Sequence, residues 1–130
     1  MKALFIGGTG TISMAITRSL ASNPDWELYL LNRGSRSAEL PSNVKVINVA
    51  DVNDEASVAK AIGGMTFDTV CDFICFHKEQ VERDIRLFKG KTRQFMVISS
   101  ASAYQKPLSS HIVNEATPLA NPYWQYSREK

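Results

Sequence analysis

The stretch "FIGGTGTIS", Phe5 to Ser13, decides how the rest of the chain is read. It continues a short apolar run, "KALFI" (2–6), and leads into "TISMAITRSLASNP" (11–24). There Ile12, Ala15, Ile16 and Leu20 recur at helical spacing and the pattern stops before Pro24. Gly8, Gly10 and Ser13 satisfy G-x-G-x-x-G with Ser in the last place, and Gly7, Gly10 and Ser13 satisfy the related G-x-x-G-x-x-G. Glycine permits a tight turn and lets a pyrophosphate approach the backbone, while a helix start offers free N–H groups and a positive dipole end. The third position must be small so that helix and strand can pack, and Ser is small. A strand before and a helix behind are the context this motif requires. Gly7, Thr9, Gly10, Thr11 and Ile12 are therefore the expected dinucleotide contacts.

Outward from this turn, strand-like and helix-like segments alternate. "WELYLLN" (26–32), "VKVINV" (44–49), "FDTVCDFICF" (67–76) and "RQFMVIS" (93–99) read as further strands. "DVNDEASVAKAIGG" (51–64) reads as a helix capped by Asn53 or Asp54 and closed by a glycine pair, and "KEQVERDIRLFKG" (78–90) as a third helix. Beyond Ser99 the pattern is loop-like through Pro107, Pro118 and Pro122, turning helical at its last residues. Such alternation calls for an α/β fold: a parallel sheet covered on both faces, with right-handed crossovers.

Composition narrows the setting. At 130 residues the chain is one domain with room for a sizeable core, and 44% hydrophobic with 22% charged residues is ordinary for a soluble protein. A net charge of +2 is too small to argue for nucleic acid or a membrane surface. No apolar run approaches the ~20 residues that span a bilayer, and the N-terminal apolar stretch runs straight into glycines, as a strand does and a signal peptide does not. Two cysteines, Cys71 and Cys75, imply a reducing compartment if they stay free, and the expectation is cytoplasmic. At an even spacing on the predicted fourth strand they share a face, too far apart for a disulfide and suited to core packing. His77 and His111 lack partners at metal or triad spacing, so no metal site is expected.

Cofactor selectivity is read about 20 residues beyond the glycine turn, where a carboxylate would hold a ribose 2′-hydroxyl. Here Asn32 ends the second strand, and Arg33 and Arg36 follow. A missing anion with two guanidinium groups suits a 2′-phosphate, favouring NADP over NAD.

The far end of the chain carries three further signals. "VISSASAY" (97–104), "NEATPLANP" (114–122) and "YSREK" (126–130), taken with the glycine turn, resemble the extended short-chain dehydrogenases/reductases, the superfamily branch of NAD(P)-dependent epimerases and dehydratases. The matching elements are Ser100 four residues before Tyr104, Glu115 with Pro118, and Tyr126 with Lys130. The resemblance implies a Rossmann-like doubly wound sheet in the order 3-2-1-4-5. It also implies a catalytic trio: Ser100 orients a substrate oxygen, Tyr126 transfers the proton, and Lys130 binds the nicotinamide ribose and lowers the Tyr pKa. Ser99 and Ser102 stand beside Ser100 and share its candidacy. Asp51 and Val52 would flank the adenine. Phe73, Ile74 and Cys75 would lie near the cofactor, in place of the family's usual Phe-Ala-Gly. The implied substrate is a nucleotide sugar or similar polar alcohol.

A single short helix between strands four and five, with "NRG" and "HKEQVERDIRLFKGK", resembles the branch of chloroplast stem-loop binding proteins. That branch brings an alternative, a non-catalytic nucleotide-binding or RNA-binding module, against which the weak net charge counts. Family members continue well beyond Y-x-x-x-K. The resemblance therefore implies an N-terminal dinucleotide-binding part without its sixth strand and substrate domain. A tail loosely held from about Lys106 is expected, with self-association through the surface left bare and no turnover from these residues alone.

Overall fold

The computed structural model describes residues 1–34 and 40–130; Arg36, one of the two expected 2′-phosphate ligands, lies outside the described residues. Five strands, β1 (Lys2–Ile6), β2 (Glu27–Asn32), β3 (Lys45–Asn48), β4 (Phe67–Asp72) and β5 (Thr92–Val97), form one sheet in the order β3-β2-β1-β4-β5. Every pairing is parallel. The helices α1 (Thr11–Ala21), α2 (Glu55–Ile62) and α3 (Lys78–Phe88) fill the crossovers. This is the doubly wound sheet expected from the alternation.

Alternation along β1 divides the core. Leu4 and Ile6 face α2 and α3, where they pack with Leu31, Val58, Ile62, Val70, Leu87 and Phe88. Ala3 and Phe5 face the other side with Leu28, Leu30 and Cys71, and Leu20 of α1 packs against them. Full burial of one such large side chain contributes about 1.5–3 kcal/mol, so the larger cluster under α2 and α3 carries most of the stability. The α1 side is only partly covered. Met96 on β5 pairs in register with Cys71 and so shares its face, yet is 37% exposed, and Ile12 and Ile16 of α1 are 68% and 42% exposed.

Local chemistry sets the ends of the elements. Asp54 is the cap of α2: its carboxylate accepts from the amides of Ala56 and Ser57, which leaves Asn53 for other work. The strand predicted over 67–76 ends at Asp72 instead. Asp72 Oδ1 accepts the Ile74 amide at 2.7 Å, an Asx-type turn that replaces the strand ladder. Cys75 therefore does not share a strand face with Cys71; it sits in the turn after β4, buried beside Asp72.

The tail is docked rather than displaced. Ala101–Ala103 form a 3-10 turn, a cis Lys106–Pro107 peptide follows, and the Gln105 and Lys106 amides donate to the Pro118 and Ala120 carbonyls. Asn121 Nδ2 donates to the Ser102 carbonyl at 2.7 Å. A final short helix, α4 (Gln125–Glu129), buries Ser127. Among the described residues, no helix is long and apolar enough to cross a membrane.

Candidate functional site

The glycine turn between β1 and α1 is shaped by contacts on both sides. Gly7 has φ +79°, and a Cβ there would lie 2.5 Å from Ile74 Cγ2. A Cβ on Gly8 would lie 2.4 Å from Leu30 Cδ2, so this glycine is required by packing. Gly10 differs. Its nearest side-chain neighbour is Ser13 Oγ, at 3.3 Å from a built Cβ, and the space beyond is open. A small residue here keeps room for a group from outside the chain. Ser13 does more than fit: its hydroxyl accepts the Gly10 amide at 2.9 Å and donates to the Gly7 carbonyl at 2.8 Å. Thr17, fully buried, donates to the Gly8 carbonyl at 2.9 Å. The sequence motif stops at Ser13, so Thr17 carries no signal within it.

Gly7, Thr9 and Gly10 face Asn32, Arg33, Gly34, Val52 and Ile74 across a groove at the carboxyl ends of the strands. Open α/β sheets bind ligands there, where strand order reverses on either side of β1. Asn32 uses its side-chain oxygen to accept the Gly34 amide at 2.9 Å, which turns the chain and leaves Arg33 exposed at the rim. An apolar cleft adjoins the groove, lined by Gly7, Gly10, Thr11, Ile12, Ser13, Phe73, Ile74 and Ile98. Two expected contacts stand apart from these linings. Asp51 is occupied in binding the Asn53 amide and side chain, and Cys75 is buried behind the groove. Burial pushes the Cys71 thiol up to about 11, and burial with the Asp72 charge raises that of Cys75, so both stay protonated and packed.

The expected trio is partly gathered. Ser100 caps the 3-10 turn, its hydroxyl accepting the Ser102 amide at 3.2 Å and contacting Ser102 Oγ at 2.8 Å. Tyr126 and Lys130 share α4 and its end, with the Lys130 amide donating to the Tyr126 carbonyl. The Lys130 ammonium donates to the Ile98 carbonyl at 2.8 Å and to the Cys75 carbonyl. It lies 4.6 Å from the Phe76 ring centre and 5.8 Å from that of Tyr126. No hydrogen bond joins Tyr126 to Ser100 among the described residues, and Ser99 contacts the Lys130 carbonyl instead. Glu115 is exposed, and Pro118 enters through its carbonyl alone. His77 caps the start of α3, and its Nδ1 lies 3.2 Å from Glu129 Oε2.

Asp72, Cys75 and Asp84 bring three potential ligand atoms within 4.8 Å of one another. The Arg83 guanidinium is already 2.6 Å from Asp84, supplying the positive charge that a metal would bring. The group is an ion-pair cluster.

A glycine turn at a helix start, opening into a groove at the reversal point of a parallel sheet, defines a doubly wound α/β domain. Its fold is the one shared by short-chain dehydrogenases/reductases and sugar-nucleotide epimerases, as the following likenesses show. A UDP-glucose 4-epimerase matches 99% of this chain and 44% of its own with a TM-score of 0.82 at 16% identity. The UDP-glucuronic acid 4-epimerase of Bacillus cereus, in complex with NAD, matches 100% of this chain and 49% of its own (TM-score 0.71, 18% identity). A short-chain dehydrogenase/reductase of Veillonella parvula DSM 2008, in complex with NADP, matches 78% and 48% (TM-score 0.64, 17% identity). Among curated proteins, oxidoreductase BOA1 of Botryotinia fuckeliana (strain B05.10) is 26% identical over 113 residues, covering 82% of this chain and 37% of that protein. No family model matches. The chain thus spans less than half the length of each of these relatives. The fold and strand order expected from the resemblance are those observed.

Proposed function

We propose that this chain is the dinucleotide-binding part of an NAD(P)-dependent oxidoreductase or epimerase of the short-chain dehydrogenase/reductase type, acting on a nucleotide sugar or similar polar alcohol. The observation that carries the reading is the groove formed by Gly7, Thr9 and Gly10 against Asn32–Gly34, Val52 and Ile74. Its donor set fits a dinucleotide. The first-turn amides of α1 would meet the pyrophosphate, the open space at Gly10 admits it, and Val52 and Ile74 offer apolar walls. Arg33 would meet a 2′-phosphate, which makes NADP the preferred form. When bound, the nicotinamide supplies reversible hydride exchange.

The chain's own residues do the rest. Ser100 would hold the substrate oxygen, and Tyr126 would move its hydroxyl proton. Lys130 would turn part of its donor capacity from the Ile98 and Cys75 carbonyls to the cofactor ribose. The substrate lobe would come from outside these residues, as the share of the relatives' length suggests. The reaction and the substrate rest on likeness of fold.

Calorimetry of the purified chain tests the reading. Binding of NADPH and weaker binding of NADH is expected, with Arg33→Ala reducing NADPH affinity roughly tenfold to a hundredfold, the range of a charge-assisted contact of about 1.5–3 kcal/mol. Binding of neither dinucleotide would overturn it. Equal affinities would return Arg33 to a rim charge.

A further inference from the structure

Behind the groove lies a buried polar cluster. Asp72 and Asp84 are each 0% exposed and Arg83 is 5% exposed. Arg83 Nε donates to Asp84 Oδ1 at 2.8 Å and its Nη2 lies 2.6 Å from the same oxygen. Nη2 is also 3.6 Å from Asp72 Oδ2, and Nη1 donates to Asn53 Oδ1 at 2.7 Å. The second oxygen of each carboxylate, Asp72 Oδ2 and Asp84 Oδ2, has no hydrogen-bond partner among the described residues. The two side chains belong to one cluster whose closest ligand atoms lie within 4.8 Å.

Charge decides what fills that gap. Two ionised carboxylates and one guanidinium would leave a net negative charge in a buried site, and an uncompensated buried charge costs several kcal/mol. One proton between the orphaned oxygens makes the cluster neutral and gives both of them a partner. Burial and the neighbouring Asp72 push the Asp84 carboxyl up to about 7.

The cluster touches both walls of the groove. Asp72 Oδ1 holds the Ile74 amide at 2.7 Å, and Ile74 is the wall beside Gly7. Arg83 holds Asn53, the residue after Val52, which is a wall on the other side. Gln80 strengthens the link, donating to Asn53 Oδ1 at 2.9 Å and accepting from the Phe76 and His77 amides.

We propose that Asp72 and Asp84 hold one proton between them, and that the neutral Arg83–Asp72–Asp84 cluster is the positioning element that sets Val52 against Ile74 across the groove. The use of that groove by a dinucleotide rests on the function proposed above; the shared proton and its hold on the walls do not. Loss of the proton adds a buried negative charge that Arg83 must meet by shifting between the carboxylates, and its grip on Asn53 shifts with it. The charged and titratable groups that face the pair are Arg83 from α3 and Cys75 from the turn after β4; the Lys130 ammonium stands beyond Cys75, on its carbonyl, and Cys71 packs on the other face of the sheet. Asn53, from the loop before α2, is uncharged and leads to Asp51.

The experiment is an NMR pH titration of the ligand-free chain, with labelled Asp carboxyl carbons and labelled Val and Ile methyl groups. The Val52 and Ile74 methyls are expected to move together with one Asp carboxyl, at a midpoint near 7. Asp84→Asn and Asp72→Asn should each abolish that movement, since either leaves a single carboxylate for Arg83. Both variants keep Cys75, so a thiol titration would survive in them. Two variants guard against one failing to fold, and an unfolded pair would still leave the parent's carboxyl and methyl curves to decide. Methyls that stay still in the parent, or move alike in a folded variant, would overturn the proposal. A second arm follows NADPH fluorescence against pH: affinity should fall roughly fivefold or more through the same midpoint in the parent and stay flat in Asp84→Asn. Absence of dinucleotide binding in the parent would remove the proposed function, while the methyl curves would still decide the cluster.

Discussion

The Lys130 ammonium donates to the Ile98 carbonyl at 2.8 Å, a bond between the end of the chain and the residue just after β5. A second bond, to the Cys75 carbonyl, ties the same ammonium to the turn after β4. One side chain thus closes the carboxyl ends of two neighbouring strands and anchors α4 across them. The tail expected to lie loose is held here because a charged donor reaches two carbonyls that the strand ladder leaves free. A short helix of this length would not persist without such an anchor.

Lys130→Met keeps the length of the side chain and removes both bonds. A charge-assisted hydrogen bond contributes about 1.5–3 kcal/mol, and the effect should be local. Amide exchange in Gln125–Glu129 should quicken while the β1 and β4 amides stay protected. Unchanged protection of α4 would show that Ser127 burial and the Asn121–Ser102 bond suffice to dock the tail.

The glycine turn separates folding from binding at two positions. Gly7→Ala places a Cβ into Ile74 at 2.5 Å on a backbone with φ +79°, so it should destabilise the fold by about 1–3 kcal/mol. Gly10→Ala meets the Ser13 hydroxyl at 3.3 Å and the Gly7 carbonyl at 4.0 Å, and should leave the denaturation midpoint nearly unchanged while weakening dinucleotide affinity. Urea titrations of both variants, paired with NADPH binding, check the contrast. Equal loss of stability in the two would mean that Gly10 serves the turn and not a ligand.

Much of this was legible in the sequence because it depends on local chemistry. The strand–glycine–helix order marks β1 and α1, and the alternation of segments gives the parallel sheet, while its strand order follows from the family resemblance. The end of β4 was not legible. "FDTVCDFICF" reads as one apolar run, yet Asp72 turns its carboxylate onto the Ile74 amide and closes the strand early. The buried cluster was hidden for a different reason. Asn53, Asp72, Arg83 and Asp84 come from three separate segments, and "KEQVERDIRLF" reads as a solvated charged helix until packing buries two of its charges with Leu87 and Phe88. Gly34 had a faint signal, as the glycine that ends "NRG", and the structure places it in the groove wall.

The α1 side of the sheet carries a testable liability. Ile12 lines the apolar cleft with Phe73 and Ile98, the residue after β5, and Met96 of β5 lies two residues before Ile98. Ile12, Ile16 and Met96 on this side of the sheet are 68%, 42% and 37% exposed, and exposed apolar side chains with an edge strand favour self-association. Sedimentation of the chain should show concentration-dependent dimers or larger species. The pair Ile16→Glu and Met96→Glu, which touches no residue of the groove, should restore a monomer. A parent that stays monomeric at high concentration would refute the expectation.

Stability should respond to pH in two opposed directions. Hydrogen bonds lower Asp54, through Ser57, and Glu55, through Arg86, while the Lys2 amide lowers Asp68. Groups lowered on folding stabilise above their ordinary carboxylate range, and that contribution is lost as pH falls through their folded values. Each carboxylate is exposed or partly exposed to solvent, which screens its interactions, so the acid limb should be shallow. Asp84 has the opposite sign. Its folded value is raised from 3.8 to about 7, so its contribution is complete below the ordinary Asp range and is lost as pH rises towards 7. The denaturation midpoint should therefore peak in mildly acidic solution and decline towards neutrality. Asp84→Asn removes the group that titrates, so its profile should keep the shallow acid limb and lose the decline between about pH 4 and 7. Urea melts of parent and variant across that range give the measurement. A parent midpoint that rises steadily to neutral pH would mean that Asp84 is ionised throughout, with Arg83 meeting both carboxylates alone.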